Sequence, residues 1–408
     1  MPNAKRNIVL LFVTRMIRLF AYGFLSVVLV LYLDKIGLPS AQIGLLLTLT
    51  LAGDACVSLW ITTSADVLGR KKMLLLGAAL MVLAGAVFII TQNYIILVLT
   101  AIVGVISPSG NEIGPFLSIE QAALSQLLAD KQRTRAFAWY NLAGSFSTAL
   151  GSLCGGWLAQ ILQRTGMSPA ESYRAVLAGY AGAGVLLFLL FTGLTAAVEA
   201  FRTGGGAKTR RILGLHRSRG IVAKLSALFG LDAFAGGFVI QSILVYWFHI
   251  RFGLDEGRLG TVFFGANVLA GISALLAVRM AKRFGLINTM VFTHIPSNIL
   301  LILVPLMPNV GLAVGLLLVR FSISQMDVPT RQSYTMAVVE PDERSAASGV
   351  TGIARSVGAA VSPVLWGVLK SAAWIGAPFL IAGGLKIVYD LLLYRSFRAV
   401  PAPEERGG

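Results

Sequence analysis

The sequence predicts an all-α polytopic membrane protein made of two similar six-span halves, and three observations predict it. First, 56% of the 408 residues are apolar and only 13% are charged, at a mean hydropathy of +0.79. Soluble domains carry about 25% charged residues, so an ordinary water-soluble fold is excluded. Disorder is excluded too, because it requires low hydrophobicity. Second, apolar runs of the roughly 20 residues needed to cross a bilayer recur along the whole chain. Third, the second half repeats the polar punctuation of the first.

Taken in order, the apolar runs give twelve predicted spans: 8–33, 42–65, 72–91, 94–127, 135–162, 173–200, 220–249, 257–280, 286–306, 310–338, 346–370 and 375–397. The first begins like a signal peptide with Lys5 and Arg6, but Arg15 and Arg18 interrupt it and no small-residue cleavage site follows. It is expected to remain as an uncleaved span. The fourth is longer than a bilayer requires and contains Pro108 and Pro115, so it should be bent or tilted.

Charge placement sets the orientation. The net charge is +16, from 34 Lys and Arg against 18 Asp and Glu. Gaps on the N-terminal side hold 22 of the basic residues and gaps on the opposite side hold 6. By the positive-inside rule both termini lie in the cytoplasm, as in a multi-pass protein of a cell inner membrane. The basic residues sit in short inter-span gaps, which argues against nucleic acid as a partner. The basic cytoplasmic linker 201–219, with Gly204, Gly205 and Gly206, divides an N-terminal bundle (1–200) from a C-terminal bundle (220–408) with a short cytoplasmic tail. Cys56 and Cys154 have no metal or redox spacing and read as packing residues. Neither a cofactor nor a metal site is expected, and the chain is expected to act as a monomer in the lipid bilayer.

The two halves align in several places. Gly37 and Gly44 match Gly253 and Gly260 at an offset of 216, and the same offset brings Gly69 onto Gly285. Further on, Gln121 meets Gln332 and Arg133 meets Arg344 at an offset of 211. Parallel six-span repeats are a transporter architecture with its site at mid-membrane. Between spans two and three stands Asp66-Val67-Leu68-Gly69-Arg70-Lys71-Lys72. This D-x-x-G-R-K-K stretch resembles the cytoplasmic loop motif of the major facilitator superfamily, with Thr62 where that motif has a leading Gly. The resemblance, which extends over the whole chain, implies two six-helix bundles that open a central cavity alternately to either side. Asp66, Gly69, Arg70 and Arg133 are then the expected conformational latch. Asp66 would accept from N–H groups at a neighbouring helix N-terminus and pair with Arg70 or Arg133. The competing reading is that these basic residues only enforce topology. Gly151-Ser152-Leu153-Cys154-Gly155-Gly156 on span five resembles the G-P-x-x-G-G stretch of the family's exporters, with Ser152 replacing Pro; plain helix packing explains it equally. Drug/proton antiporters of this family tend to place an Arg four residues before a Gly on span four, where this chain has Thr100 before Gly104.

Charges inside spans need a reason, since each costs at least about 2.5 kcal/mol at mid-membrane. Arg15, Arg18 and Tyr22 share one face of span one; Arg18, Arg320 and Arg355 sit near mid-depth. Guanidinium groups bind carboxylates and phosphates in a forked way, so Arg15, Arg18, Tyr22, Arg320 and Arg355 are the expected substrate contacts. Asp54 and Glu112 are the expected proton carriers, because a carboxylate in a poorly hydrated cavity holds its proton more tightly. Glu120 and Arg331 occupy equivalent places with opposite charge and are expected to pair between the bundles. Asp327–Arg331 and Lys386–Asp390 read as local structural pairs at i, i+4, and His249 and His294 as packing or interfacial residues.

The expected function is secondary active transport of a small organic solute by alternating access, as proton-coupled export. One alternative is a uniporter or importer of an anionic metabolite that uses the cavity arginines. Another is a transporter-like solute sensor that moves nothing. ATP-driven transport is disfavoured because the sequence offers no nucleotide loop, and an enzyme because it offers no nucleophile–base constellation.

Overall fold

In the computed structural model, residues 2–111, 116–128, 130–199, 215, 217–340, 343–371 and 375–399 are described. Every predicted span is helical, and four of the twelve come in two pieces. The first span is α1 (Pro2–Ser26) and α2 (Leu29–Lys35), followed by α3 (Ser40–Leu68) and α4 (Arg70–Ile90). The fourth is α5 (Tyr94–Val103) and α6 (Phe116–Leu127), and α7 (Asp130–Arg164) and α8 (Pro169–Thr192) complete the first half. In the second half come α9 (Arg219–Gly237) and α10 (Gln241–Phe252), α11 (Glu256–Phe284) and α12 (Leu286–Leu303). Then follow α13 (Val310–Phe321) and α14 (Asp327–Val338), α15 (Arg344–Ser371) and α16 (Ala377–Phe397). No strand occurs among the described residues. Nine of the helical stretches there are long and apolar enough to cross a membrane.

The broken spans are the first and fourth of each half. The bend expected in span four from Pro108 and Pro115, of which Pro115 lies outside the described residues, has three counterparts that carry no proline at the break. In span seven, Gly236 and Gly237 loosen the helix and the chain tightens into i−3 bonds, from Phe238 N to Ala235 O (3.4 Å) and from Val239 N to Gly236 O (3.1 Å). In span ten the serine-rich stretch after Arg320 does the same, with Ile323 N on Arg320 O at 3.2 Å. Repeat-aligned glycines share conformation as well. Gly37 and Gly253 have φ of 90° and 65°, and Gly69 and Gly285 have φ of 107° and 86°, where a side chain would be strained.

The chain divides into two compact units, one of residues 1–204 with 240–265 and the other of residues 205–239 with 266–408. Segment 240–265 packs with the first unit. There Gln241 donates to Ser26 Oγ (2.8 Å) and Ser152 Oγ (3.0 Å), and Tyr246 donates to Asp34 (2.7 Å). Tyr173 donates to Glu256, and Gly257 N to Gln160 (2.9 Å). A side chain at Gly156 would overlap the backbone at Glu256 and Gly260. Spans seven and eight thus each begin in one unit and end in the other.

Within each unit the same pairs of spans pack closely. In the first, α1 lies on α7 so tightly that a Cβ at Gly151 would overlap the Phe20 carbonyl, and one at Gly23 the Thr148 carbonyl. In the second, a Cβ at Gly358 would overlap the Gly230 carbonyl, which sets α9 on α15. Small residues permit this approach in a lipid environment, where packing and not hydrophobicity drives association. The third and sixth spans pair likewise, α4 on α8 and α12 on α16.

Candidate functional site

Each unit buries a cluster of ionic side chains at the crossing of its first and fourth spans. In the first unit, Arg18 on α1 grips Glu120 on α6 with two parallel bonds, Nη1 to Oε1 at 2.8 Å and Nη2 to Oε2 at 2.7 Å. Both side chains are fully buried. Tyr140 on α7 donates to the same carboxylate, and Thr14 Oγ1 lies 3.2 Å from it. Arg18 also stacks over the Phe116 ring at 4.6 Å. Arg15 donates to the Tyr140 carbonyl (2.9 Å) and to Asn141 (3.2 Å) and lies 4.3 Å over the Tyr140 ring. Every carboxylate oxygen of this cluster has partners. A buried pair with forked geometry and filled lone pairs is how such charges survive desolvation.

In the second unit the signs are reversed. Asp232 on α9 supplies the acid and Arg331 on α14 the base, at 3.1 Å. Asp232 is a hub. Its Oδ1 accepts from Lys386 on α16 at 2.5 Å and lies 4.0 Å from His294 Nε2 on α12. Its Oδ2 takes Arg331 and lies 3.8 Å from Arg355 Nη1 on α15. Arg331 also binds Asp327 at 3.0 Å. Asp390 accepts from His294 Nδ1 (2.8 Å) on Oδ1 and from Asn298 (3.0 Å) on Oδ2. Asp232, His294, Arg331, Lys386 and Asp390 are all buried, whereas the Arg355 side chain is 37% exposed and forms the open end of the cluster. Arg320 is buried near Asp232 and Asp327. Among the described residues, Arg320 Nε and Arg355 Nη1 are buried donors without a hydrogen-bond partner.

The residues expected from sequence therefore sort into several environments. Arg15 and Arg18 are engaged by protein groups in the first unit, and Tyr22 is fully buried on α1. Arg320 and Arg355 keep donor capacity. Glu120 and Arg331 each have partners inside their own unit, Arg18 for one and Asp232 with Asp327 for the other. Asp54 is half-buried on α3 with Ser58 Oγ at 3.3 Å. Glu112 and the side chains of Asp66 and Arg133 lie outside the described residues. At the loop motif, Gly69 has its positive φ, and Arg70 donates to Gln126 (3.0 Å) and to the Val198 carbonyl (3.3 Å). The carboxylate on the α4 N-terminus is Glu199, which accepts from the N–H groups of Arg70 (2.6 Å) and Lys71 (3.3 Å). Lys71 Nζ in turn binds the carbonyls of Thr192 and Leu194 at the end of α8.

Sequence reasoning assigned His294 and the Lys386–Asp390 pair to structure alone. Lys386 in fact turns to Asp232, and Asp390 to His294. The available signal was that a histidine, an asparagine and a Lys/Asp pair fall on the third and sixth spans of the same half. A cavity of about 730 Å³ also lies in the second unit, at the ends of α11, α12, α14 and α16; Lys282 and Arg398 line it and none of the expected site residues does.

Comparison with known proteins agrees with this architecture. The family profile described as Major Facilitator Superfamily matches residues 11–363 and 252–408. The membrane protein YJR124C of Saccharomyces cerevisiae is 31% identical over 98% of this chain and 96% of its own length. The quinolone resistance protein NorA of Staphylococcus aureus is 21% identical over 92% of this chain and 93% of its own. Among solved structures, a bacterial homologue of the human lysosomal transporter Spinster superposes with a TM-score of 0.73 at 14% identity, covering 97% of this chain and 96% of that one. The nucleoside transporter NupG does so with a TM-score of 0.75 at 14% identity, covering 96% and 99%.

Proposed function

The chain belongs to the major facilitator superfamily, and on that footing we propose that it moves a small organic solute outward across a cell inner membrane, by alternating access and driven by protons. In this reading it works as a monomer with both termini in the cytoplasm. The observation that carries it is the ionic cluster of the second unit. Packing alone does not call for seven charged side chains and a histidine at the crossing of five spans, and intramembrane charges of this kind mark substrate and proton pathways. The similarity to a quinolone resistance protein supports the outward direction. Asp54 and Glu112 remain candidate proton carriers, and Arg320 and Arg355 the candidate solute contacts. Arg15, Arg18 and Tyr22 are proposed to shape the first unit's wall of the pathway and not to grip the solute, because protein groups already occupy both arginines. Asp66, Gly69, Arg70 and Arg133 are proposed as the latch, with Glu199 holding the α4 N-terminus beside it.

One observation favours a second reading, in which the solute is an anionic metabolite and moves without protons. The four bases Arg320, Arg331, Arg355 and Lys386 outnumber the three acids Asp232, Asp327 and Asp390, and two of the guanidinium groups have unpartnered buried donors.

The test uses purified full-length protein in liposomes with an internal pH dye and radiolabelled norfloxacin, tetraphenylphosphonium and benzoate as probes. Imposed gradients of each are expected to drive proton movement for one class. Transport of benzoate without proton movement selects the second reading, and no transport of any probe by protein that binds one of them selects a sensor.

A further inference from the structure

We propose that the coupled proton is held on Nε2 of His294, between the carboxylates of Asp390 and Asp232, and that its arrival exchanges the partners of Asp232. This rests on the proton-coupled reading above and places the proton where that reading does not.

With Asp390 ionised, the roles of the two ring nitrogens follow. Asp390 Oδ1 lies 2.8 Å from Nδ1, and an ionised carboxylate can only accept, so Nδ1 carries a hydrogen. Asn298 donates to the other oxygen of Asp390 at 3.0 Å, which holds the carboxylate in place. With Nδ1 protonated, the neutral ring presents its lone pair at Nε2. That nitrogen faces Asp232 Oδ1 at 4.0 Å, too far for a hydrogen bond and close enough for an ion pair. Nε2 is thus an open base beside a negative charge. The Tyr389 ring, edge-on at 6.0 Å between centroids, fixes the plane of the imidazole.

Asp232 Oδ1 has two competing cations. Lys386 Nζ holds it at 2.5 Å. A hydronium ion entering past Arg355, the exposed end of the cluster, gives its proton to Nε2 and leaves as water. A new N–H bond forms and the ring becomes imidazolium. Oδ1 is then drawn toward His294 and away from Lys386. Return is the reverse transfer, from Nε2 to water on the other side. The other charged groups facing this exchange are Arg331 and Asp327 on α14, Arg355 on α15, Arg320 on α13, and Lys386 and Asp390 on α16. Histidine is chosen among them because an unperturbed imidazole both takes up and releases a proton near neutrality.

The exchange has somewhere to act. Asp232 is on α9, which breaks after Gly237 and continues as α10 in the other unit. A shift of the Asp232 side chain between α12 and α16 therefore pulls on the span that passes from one unit to the other.

The experiment has two arms. The chain has three histidines, so ¹⁵N-histidine NMR of the full protein in liposomes yields few signals, and the one absent from His294→Gln is assigned to His294. In the wild type this signal is expected to show both the neutral and the charged imidazole across the pH range in which the protein transports. Absence of a charge change in every histidine signal over that range overturns the proposal, whether or not any variant folds. In the transport arm, His294→Gln can still donate to Asp390 but cannot carry a proton. Proton movement driven by the active probe is expected to fall about 100-fold, the low end for loss of a proton-transferring group, while proton-independent counterflow of that probe continues. Undiminished proton movement in His294→Gln, with loss in Asp54→Asn, overturns this placement and leaves proton coupling intact. Transport by the wild type with no proton movement overturns coupling itself.

Discussion

The two units place an ion pair at the same crossing, between their first and fourth spans, and they do so with opposite signs. In the first unit the base is on span one (Arg18) and the acid on span four (Glu120); in the second the acid is on span seven (Asp232) and the base on span ten (Arg331). From there they diverge. The first cluster ends with Tyr140 and Thr14, fully buried and closed. The second runs on into the seam between the third and sixth spans of its half. In the first unit that seam is made of small apolar contacts, Gly85 against Ala181 and Gly184 against Val82. In the second the seam holds His294, Asn298, Lys386 and Asp390. A duplicated scaffold has kept one copy as a staple and extended the other into a network with titratable and unpartnered groups. The contrast teaches that buried charge by itself does not mark function. What separates the two clusters is whether the hydrogen-bonding capacity is exhausted.

The largest expected effect tests the staple. Glu120→Ala removes the carboxylate that Arg18 grips in a fully buried site, and removing one partner of such a pair costs about 3–5 kcal/mol. Thermal unfolding of the purified protein in detergent should show that loss. The double variant Arg18→Met with Glu120→Leu should recover most of it, because apolar residues of similar volume replace buried pairs well. A Glu120→Ala protein that melts like the wild type would mean that the first unit holds together by packing alone, and the contrast between the units would collapse.

Next comes the open end of the second cluster. Arg355 is 37% exposed and 3.8 Å from Asp232, so Arg355→Ala should change stability by no more than about 1 kcal/mol. If the solute is an anion, losing this charged donor should weaken its binding roughly 10-fold to 100-fold, the worth of a charge-assisted hydrogen bond. Scintillation-proximity binding of the active probe measures it. Unchanged binding with a marked loss of melting temperature would make Arg355 a second staple and not a solute contact.

A smaller effect probes the seams. Gly85→Ala sets a methyl group against Ala181, and overpacking of this kind costs about 1–3 kcal/mol. Gly384→Ala on α16 meets nothing within 4 Å and should be neutral or stabilise by about 0.5 kcal/mol through helix propensity. Equal melting temperatures for the two variants would show that the α4–α8 seam is looser than its contacts imply.

Much of this was legible in the sequence, for reasons that can be named. Hydropathy and basic punctuation located all twelve spans, and the aligned Gly37/Gly253 and Gly69/Gly285 pairs proved to share positive φ, because that conformation demands glycine in both copies. Proline flagged the break in span four. It could not flag those in spans one, seven and ten, where two glycines, serines or plain valines sit at the break. The charged residues were all visible, but their partners were not. Asp327–Arg331 at i, i+4 was found because spacing alone brings the two together, whereas Lys386 deserts its own i+4 partner for Asp232, and only packing of α9 against α16 reveals that. His294 read as a packing residue because a lone imidazole on a peripheral span has no sequence neighbour to suggest Asp390, 96 positions away. The passage of segment 240–265 into the first unit likewise rests on long-range contacts such as Tyr246 with Asp34.

The smallest effect compares two helix N-termini. Glu199 accepts from the N–H groups of Arg70 and Lys71 at the start of α4, and Glu343 accepts from those of Arg217 (2.9 Å) and Ser218 (2.8 Å) at the start of α9. In each unit a carboxylate from a distant segment thus sits on orphan donors at the positive end of a helix, an interaction worth about 0.3–1 kcal/mol when exposed and up to about 2 when partly buried. Glu199 is half-buried and Glu343 is fully buried. Replacing each with Gln keeps an acceptor oxygen and removes the charge, so Glu343→Gln should lower the melting temperature more than Glu199→Gln. High salt should shrink the Glu199 effect and leave that of Glu343, since screening reaches only the accessible charge. Glu199 also neighbours Gly69, in the loop motif expected to act as the latch. A Glu199→Gln protein whose melting temperature holds while its transport rate changes would therefore show that this carboxylate serves the latch more than the fold.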